Sequence, residues 1–162
     1  MFGMRFRHNV AVASLVFAAA GCAPSEVYTD GPKPQASSVS PRSRWQASGD
    51  LRDVQKAIDR SLATAAVSPS TYHNAQITID LGKSCVFNFV AIDHGADELG
   101  FCRRVAVLVS QDGKNFAQVE AVPGTRRVTV INLVSPVLAR YVRLVAVVPG
   151  DRPWSIAEIY IQ

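Results

Sequence analysis

Val105-Ala106-Val107-Leu108-Val109 is a short apolar run whose two alternating faces are both hydrophobic. Its brevity and β-branched content suit a strand covered on both sides rather than a helix. It is closed by Ser110-Gln111-Asp112-Gly113, a turn signal. Similar runs of β-branched and aromatic residues lie at 86–92, 128–134, 141–148 and 156–161. Pro123-Gly124, Ser135-Pro136 and Pro149-Gly150 punctuate them. In the 141–148 run Val142, Leu144 and Ala146 form an apolar face and Arg143 lies on the other. No helical pattern alternates with these strands, and there is no internal repeat. The expectation is an all-β fold, a β-sandwich or jelly roll of about eight strands. Helical spacing occurs once, at Leu51, Val54, Ile58 and Leu62 with Ser48 or Asp50 placed to cap, and predicts one short helix or helical turn near the start of the domain.

At 162 residues and 48% hydrophobic, the chain can bury a core of ordinary size for one domain. Its first residues read as an export signal. Arg5, Arg7 and His8 precede an apolar run from Val10 to Ala20, and small residues lead into Cys22. That run is too short to span a bilayer, which needs roughly 20 residues. Ala19-Ala20-Gly21-Cys22 resembles the lipobox of bacterial lipoproteins, with Ala19 where Leu is more usual. The resemblance implies a signal peptide over 1–21, lipidation of Cys22 and a membrane anchor, with the outer membrane favoured if the cell is Gram-negative. Several acyl chains, at about 0.8 kcal/mol per buried CH₂, would make such an attachment permanent. Residues 22–44 carry Pro24, Pro32, Pro34 and Pro41 among Ser, Gly and charged residues, the composition of a tether. The folded domain is expected over 45–162.

Without Arg5 and Arg7, the 17 basic residues become 15 against 13 acidic ones. So small an excess gives no case for nucleic acid. Arg103-Arg104 and Arg126-Arg127 read as solvated strand ends. Cys85 and Cys102 form an even pair in an exported chain, and a disulfide between them is the expectation. The other reading is two buried thiols. No G-x-S-x-G, H-E-x-x-H or phosphate-loop segment occurs, so an enzyme is not expected.

Four segments, taken in order, resemble the coagulation-factor-type C, or discoidin, family over about residues 45–161: I-T-I-D-L-G from Ile77, S-Q-D-G from Ser110, A-R-Y-V-R-L from Ala139, and W-S-I-A-E-I-Y-I from Trp154. The resemblance implies a galactose-binding-like β-sandwich, similar to family-32 carbohydrate-binding modules, that recognises sugars, lipids or protein surfaces and is not catalytic. In many sugar-binding relatives a loop near the domain start holds Ca²⁺. Carried over, its ligands fall on the Lys56 carbonyl, Asp59, Ser61, Thr64 and Glu158. Ser61 stands where the family has a stronger ligand, and Arg60 adds a positive charge.

The ligand surface is expected in loops at one end of the sandwich. Tyr72, His73, His94, Glu98 and Arg152 are the candidate contacts, because sugars need a flat ring for their C–H face and planar polar groups for their hydroxyls. Trp45 and Trp154 read as packed residues. The reading is a monomeric, lipid-anchored module of the envelope whose partner is carbohydrate. The alternative is an envelope lipoprotein that docks on a protein and binds no sugar.

Overall fold

The computed structural model describes residues 39–162. The expected signal peptide, Cys22 and the tether up to residue 38 lie outside the described residues. The remainder is a β-sandwich of eight strands: β1 Gln46–Gly49, β2 Ala66–Val67, β3 Ala75–Asp93, β4 Arg104–Ser110, β5 Ala117–Pro123, β6 Val128–Val148, β7 Ser155–Ile156 and β8 Glu158–Ile161. The main sheet runs β1-β3-β6-β4-β5, with β8 also on β3, and β2 pairs with β7 separately. Every strand pairing is antiparallel.

A doubled-over ribbon of β3 and β6 organises these strands. If extended, the 19 residues of β3 would span about 60 Å. Yet both its ends meet one set of loops. Asn74 donates its N–H to Ala146 O and Arg103 donates to Val148 O, while beyond the other end His94 donates to Arg127 O and Ser155 to Gly100 O. The ribbon must therefore fold over where its register breaks, between Asp80 and Cys85. The I-D-L-G segment builds this corner. Asp80 accepts the Gly82 N–H at 2.7 Å, with Gly82 at φ 77, and takes two bonds from Arg140 across the ribbon at 2.8 and 2.9 Å. Those guanidinium bonds hold the Asp80 carboxyl below the usual carboxylate range.

Alternation decides what each half of the ribbon buries. Ile77, Ile79 and Leu81 are sealed from solvent beside Val142, Leu144 and Ala146 of β6 and Val105 and Val107 of β4. Each fully buried Ile or Leu contributes roughly 1.5–3 kcal/mol. Trp45 and Trp154 are both buried, as their sequence context suggests. The S-Q-D-G segment closes the β4–β5 hairpin, where the amides of Asn115 and Lys114 donate to Asp112 and hold its carboxyl far below the usual range.

Three expectations change. The short helix is a single 3-10 turn, Val54–Ile58, entered through Asp53 in the left-handed region with no side-chain cap. Ser135-Pro136 does not end a strand, because β6 runs on through it; the segment instead lies in a second register break, between the pairs Phe87–Val137 and Phe89–Asn132. A proline lacks the N–H needed for the ladder, so a bulge accommodates it. The folded part also begins before Trp45. Ser40 is buried, its hydroxyl bonds to Leu81 O, and Trp45 Nε1 donates to Ser40 O at 3.1 Å.

The expected Cys85–Cys102 disulfide is not formed: both are free, buried thiols. Cys85 sits at the corner opposite Ala139, and Cys102 lies at the loop end next to Arg103, which bonds to Val148. Some nine residues of β6 separate those two levels, roughly 30 Å of strand, whereas a disulfide needs Cα atoms within about 7 Å.

Candidate functional site

The segments leading into β3, linking β3 to β4, joining β5 to β6 and following β6 all gather at the end away from the corner. Glycines allow the close approach. A Cβ on Gly150 would fall 2.1 Å from Phe101 O, and one on Gly95, at φ +61, would fall 2.8 Å from the Ala157 Cβ and 2.9 Å from Leu62 O. Between the loops is a cavity of about 180 Å³. Leu99 and Phe101 give it an apolar wall, and Arg103, Arg126, Asp151 and Arg152 give it a charged rim. Leu99 is 40% exposed, and Phe101 is half-buried against the His94 ring, 6.3 Å between centroids. Arg103 Nη2 donates to both oxygens of Asp151, at 2.8 and 2.9 Å. Such a wall can face the C–H side of a small ring while the rim bonds its polar groups.

The structure brings the five candidate contacts to this end, though not into one role. Arg152 lines the cavity and reaches Asp97 at 3.3 Å. Glu98 is exposed and pairs with Arg127 at 3.3 Å. His73 is exposed, its Nδ1 donating to Val147 O at 2.8 Å. Tyr72 is half-buried against the core, and burial followed by the nearby Asp50 raises its phenol pKa. His94 is a correction. It is only 1% exposed, and it donates through Nδ1 to Ser155 O at 2.7 Å while Nε2 faces the Thr129 hydroxyl at 3.2 Å. Burial lowers its pKa and keeps the ring neutral. It is a buried strut that ties the 93–101 loop to the segment before β8. Arg103 and Arg126, read from sequence as solvated strand ends, are exposed near strand ends and also line the cavity. Only the proximity of their loops to Phe101 reveals that.

The expected calcium ligands do not assemble into a fitting set. Asp59 is spent within its own loop, accepting the Ser61 N–H at 2.9 Å and the Thr64 hydroxyl at 2.7 Å. Glu158, 1% exposed, is taken by Arg42, whose guanidinium donates to Glu158 Oε1 and to Ile159 O. The same guanidinium lies 5.0 Å from the centroids of both the Trp45 and Tyr160 rings. Among these expected ligands, Glu158 Oε2 is buried with no hydrogen-bond partner among the described residues. Among the described residues, no three His, Cys, Asp or Glu side chains converge on a metal position. Calcium takes 6–8 oxygens and needs net negative charge; here a resident cation already offsets one of the two carboxylates.

A family model for the F5/8 type C domain matches residues 35–159. A search of curated proteins returns no match. Among solved structures, the chain is similar to CpGH89CBM32-5 from Clostridium perfringens, in complex with GalNAc-beta-1,3-galactose. Identity is 21%, with 75% of this chain and 96% of that chain covered and a TM-score of 0.67. It is also similar to the family 32 CBM from C. perfringens NanJ, in complex with galactose, at 20% identity over 77% and 97% of the chains and a TM-score of 0.66. A third is chitosan-binding module 1 of a chitosanase/glucanase from Paenibacillus sp. IK-5, at 23% identity over 73% and 92% and a TM-score of 0.62. Likeness at this level of identity speaks for the fold.

Proposed function

The chain belongs to the F5/8 type C domain family, and on that premise we propose that it is a non-catalytic module that recognises carbohydrate through the loops at one end of its sandwich. The observation that carries this reading is the cavity formed by Leu99 and Phe101 beneath guanidinium and carboxylate groups. An aromatic wall next to planar hydrogen-bonding groups is the pairing that sugar rings require. Solved structures of the same fold hold galactose or GalNAc-beta-1,3-galactose, which favours the same ligand class here. At about 180 Å³ the cavity suits a single terminal ring rather than a buried oligomer.

We extend the proposal to the cell envelope on sequence grounds. The apolar run before Cys22 supports export and lipid attachment, and the Pro- and Ser-rich stretch after it would hold the domain off a membrane. A second reading, docking on an envelope protein, is favoured by an exposed apolar strip on β6. Val130, Val134 and Leu138 are 49%, 94% and 59% exposed.

The test is a glycan and polysaccharide binding screen of the purified protein, with Phe101→Ala beside it and with calcium or chelator present. Saturable binding that Phe101→Ala abolishes supports the carbohydrate reading. A well-folded protein that binds no glycan refutes it and leaves the β6 strip as the place to seek a partner.

A further inference from the structure

The carbohydrate reading can be deepened from the charge on the cavity wall. Three arginines and one aspartate line the cavity. Two of the arginines are engaged, Arg103 by Asp151 and Arg152 by Asp97. Arg126 is exposed, and among the described residues its guanidinium has no hydrogen bond, ion pair or aromatic partner. A cation left unpaired beside an apolar wall is a place for an anion.

The backbone holds that arginine in place at some cost. Arg126 O accepts the N–H of Val128 at 2.7 Å across Arg127, whose φ is 62. A two-residue bond around a left-handed centre is the γ-turn of the rare, strained kind. Such strain persists only where the surroundings impose it. Here His94 N–H bonds to Arg127 O at 2.7 Å, and Thr125 is tied to Thr129 Oγ1 at 3.0 Å and to Val128 O at 2.7 Å. The turn sends neighbouring guanidinium groups to different tasks: Arg127 pairs with Glu98, and Arg126 joins the cavity rim.

We infer that the cavity takes a carboxylate-bearing sugar, a uronate or other monoanionic acid sugar, with its ring on Phe101 and Leu99 and its carboxylate on Arg126. One free guanidinium with two already compensated matches a single negative charge better than a dianion. The planar fork of Arg126 offers the carboxylate two parallel N–H donors. This rests on the carbohydrate reading above and narrows its ligand class.

Calorimetry on the purified protein decides it. Galacturonate and glucuronate oligosaccharides and sialyllactose are compared with their neutral counterparts at low and moderate salt. Wild type, Arg126→Gln and Arg44→Gln are used, the last removing equal charge from an exposed position at the corner end. An acidic sugar is expected to bind about tenfold tighter than its neutral partner, from one charge-assisted pair. Arg126→Gln should erase that preference without lowering the melting temperature, and Arg44→Gln should keep it. If neutral sugars bind as well as every acidic one, the acid-sugar inference falls while carbohydrate recognition stands. If neither class binds, both fall. An equal loss in Arg44→Gln marks the attraction as non-specific and also overturns the inference.

Discussion

Removing Arg42 should reveal how much of this domain hangs on one buried carboxylate. In Arg42→Ala, Glu158, 1% exposed in the wild type, loses the guanidinium on Oε1, and its Oε2 already has no partner among the described residues. Breaking a buried pair from one side costs about 3–5 kcal/mol, because the remaining charge is stranded. Arg42 retains 18% side-chain exposure, which lets some water in and favours the lower end. Loss of its contacts with Trp45 and Tyr160 adds about 0.5–1 kcal/mol for each ring. A total near 4–5 kcal/mol, in a domain of this size, lowers the melting temperature by roughly 15–20 °C. Calorimetry and urea melts at pH 7 would measure it. The pair Arg42→Met with Glu158→Met should recover most of the loss, since an apolar replacement strands no charge. A cost under about 1 kcal/mol for Arg42→Ala would refute the argument and place the bridge among ordinary surface pairs.

Three further outcomes are expected. Calcium and chelator should leave the melting temperature of the wild type unchanged, because Arg42 already sits on Glu158 and Asp59 is satisfied within its loop; a calcium-dependent rise would contradict this. His94 has a lowered pKa in the folded protein, so the unfolded chain binds the proton first as pH falls below about 6.5. Stability should therefore be full above that pH and decline below it, by at most about 1.4 kcal/mol per pH unit from this group, and melts of His94→Gln from pH 7.5 to 5.5 should show a flatter slope. Mass mapping after alkylation without reductant should find Cys85 and Cys102 protected when folded and both labelled in urea. Burial pushes the Cys102 thiol up to about 12, so almost none of it is the reactive thiolate. Resistance to labelling in urea would restore the disulfide.

Strands were legible wherever local pattern and environment agree. The two-sided run at 105–109 is β4, and the alternation of Val142, Leu144 and Ala146 is the core face of β6. Family segments were legible too, and their chemistry is largely architectural: Asp80 builds the corner and Asp112 the hairpin turn. What escaped the sequence is what folding brings together from afar. Arg42 and Glu158 are 116 residues apart, and nothing in either neighbourhood announces the pair. Arg126 looked like a solvated strand end because exposure was the right inference and direction, set by the left-handed Arg127, was not readable. The even count in an exported chain also misled for Cys85 and Cys102, since the doubled ribbon sends them to opposite ends. His94 had the polarity of a contact residue, but its partners, Ser155 and Thr129, lie 61 and 35 positions away and draw it inside.

The corner where Ser40 is pinned to Leu81 and Cys85 also fixes where the described chain enters the fold. Residue 39, where the described chain starts, lies at the pole remote from the cavity. A label or linker joined at this pole stands clear of the loops that line the cavity. If those loops bind sugar as proposed, many copies on one surface can engage one polymer together, so that a weak grip on one terminal sugar becomes a strong one through repetition. Affinity measured for a single domain in solution would then understate retention at a surface, and density of display would govern it.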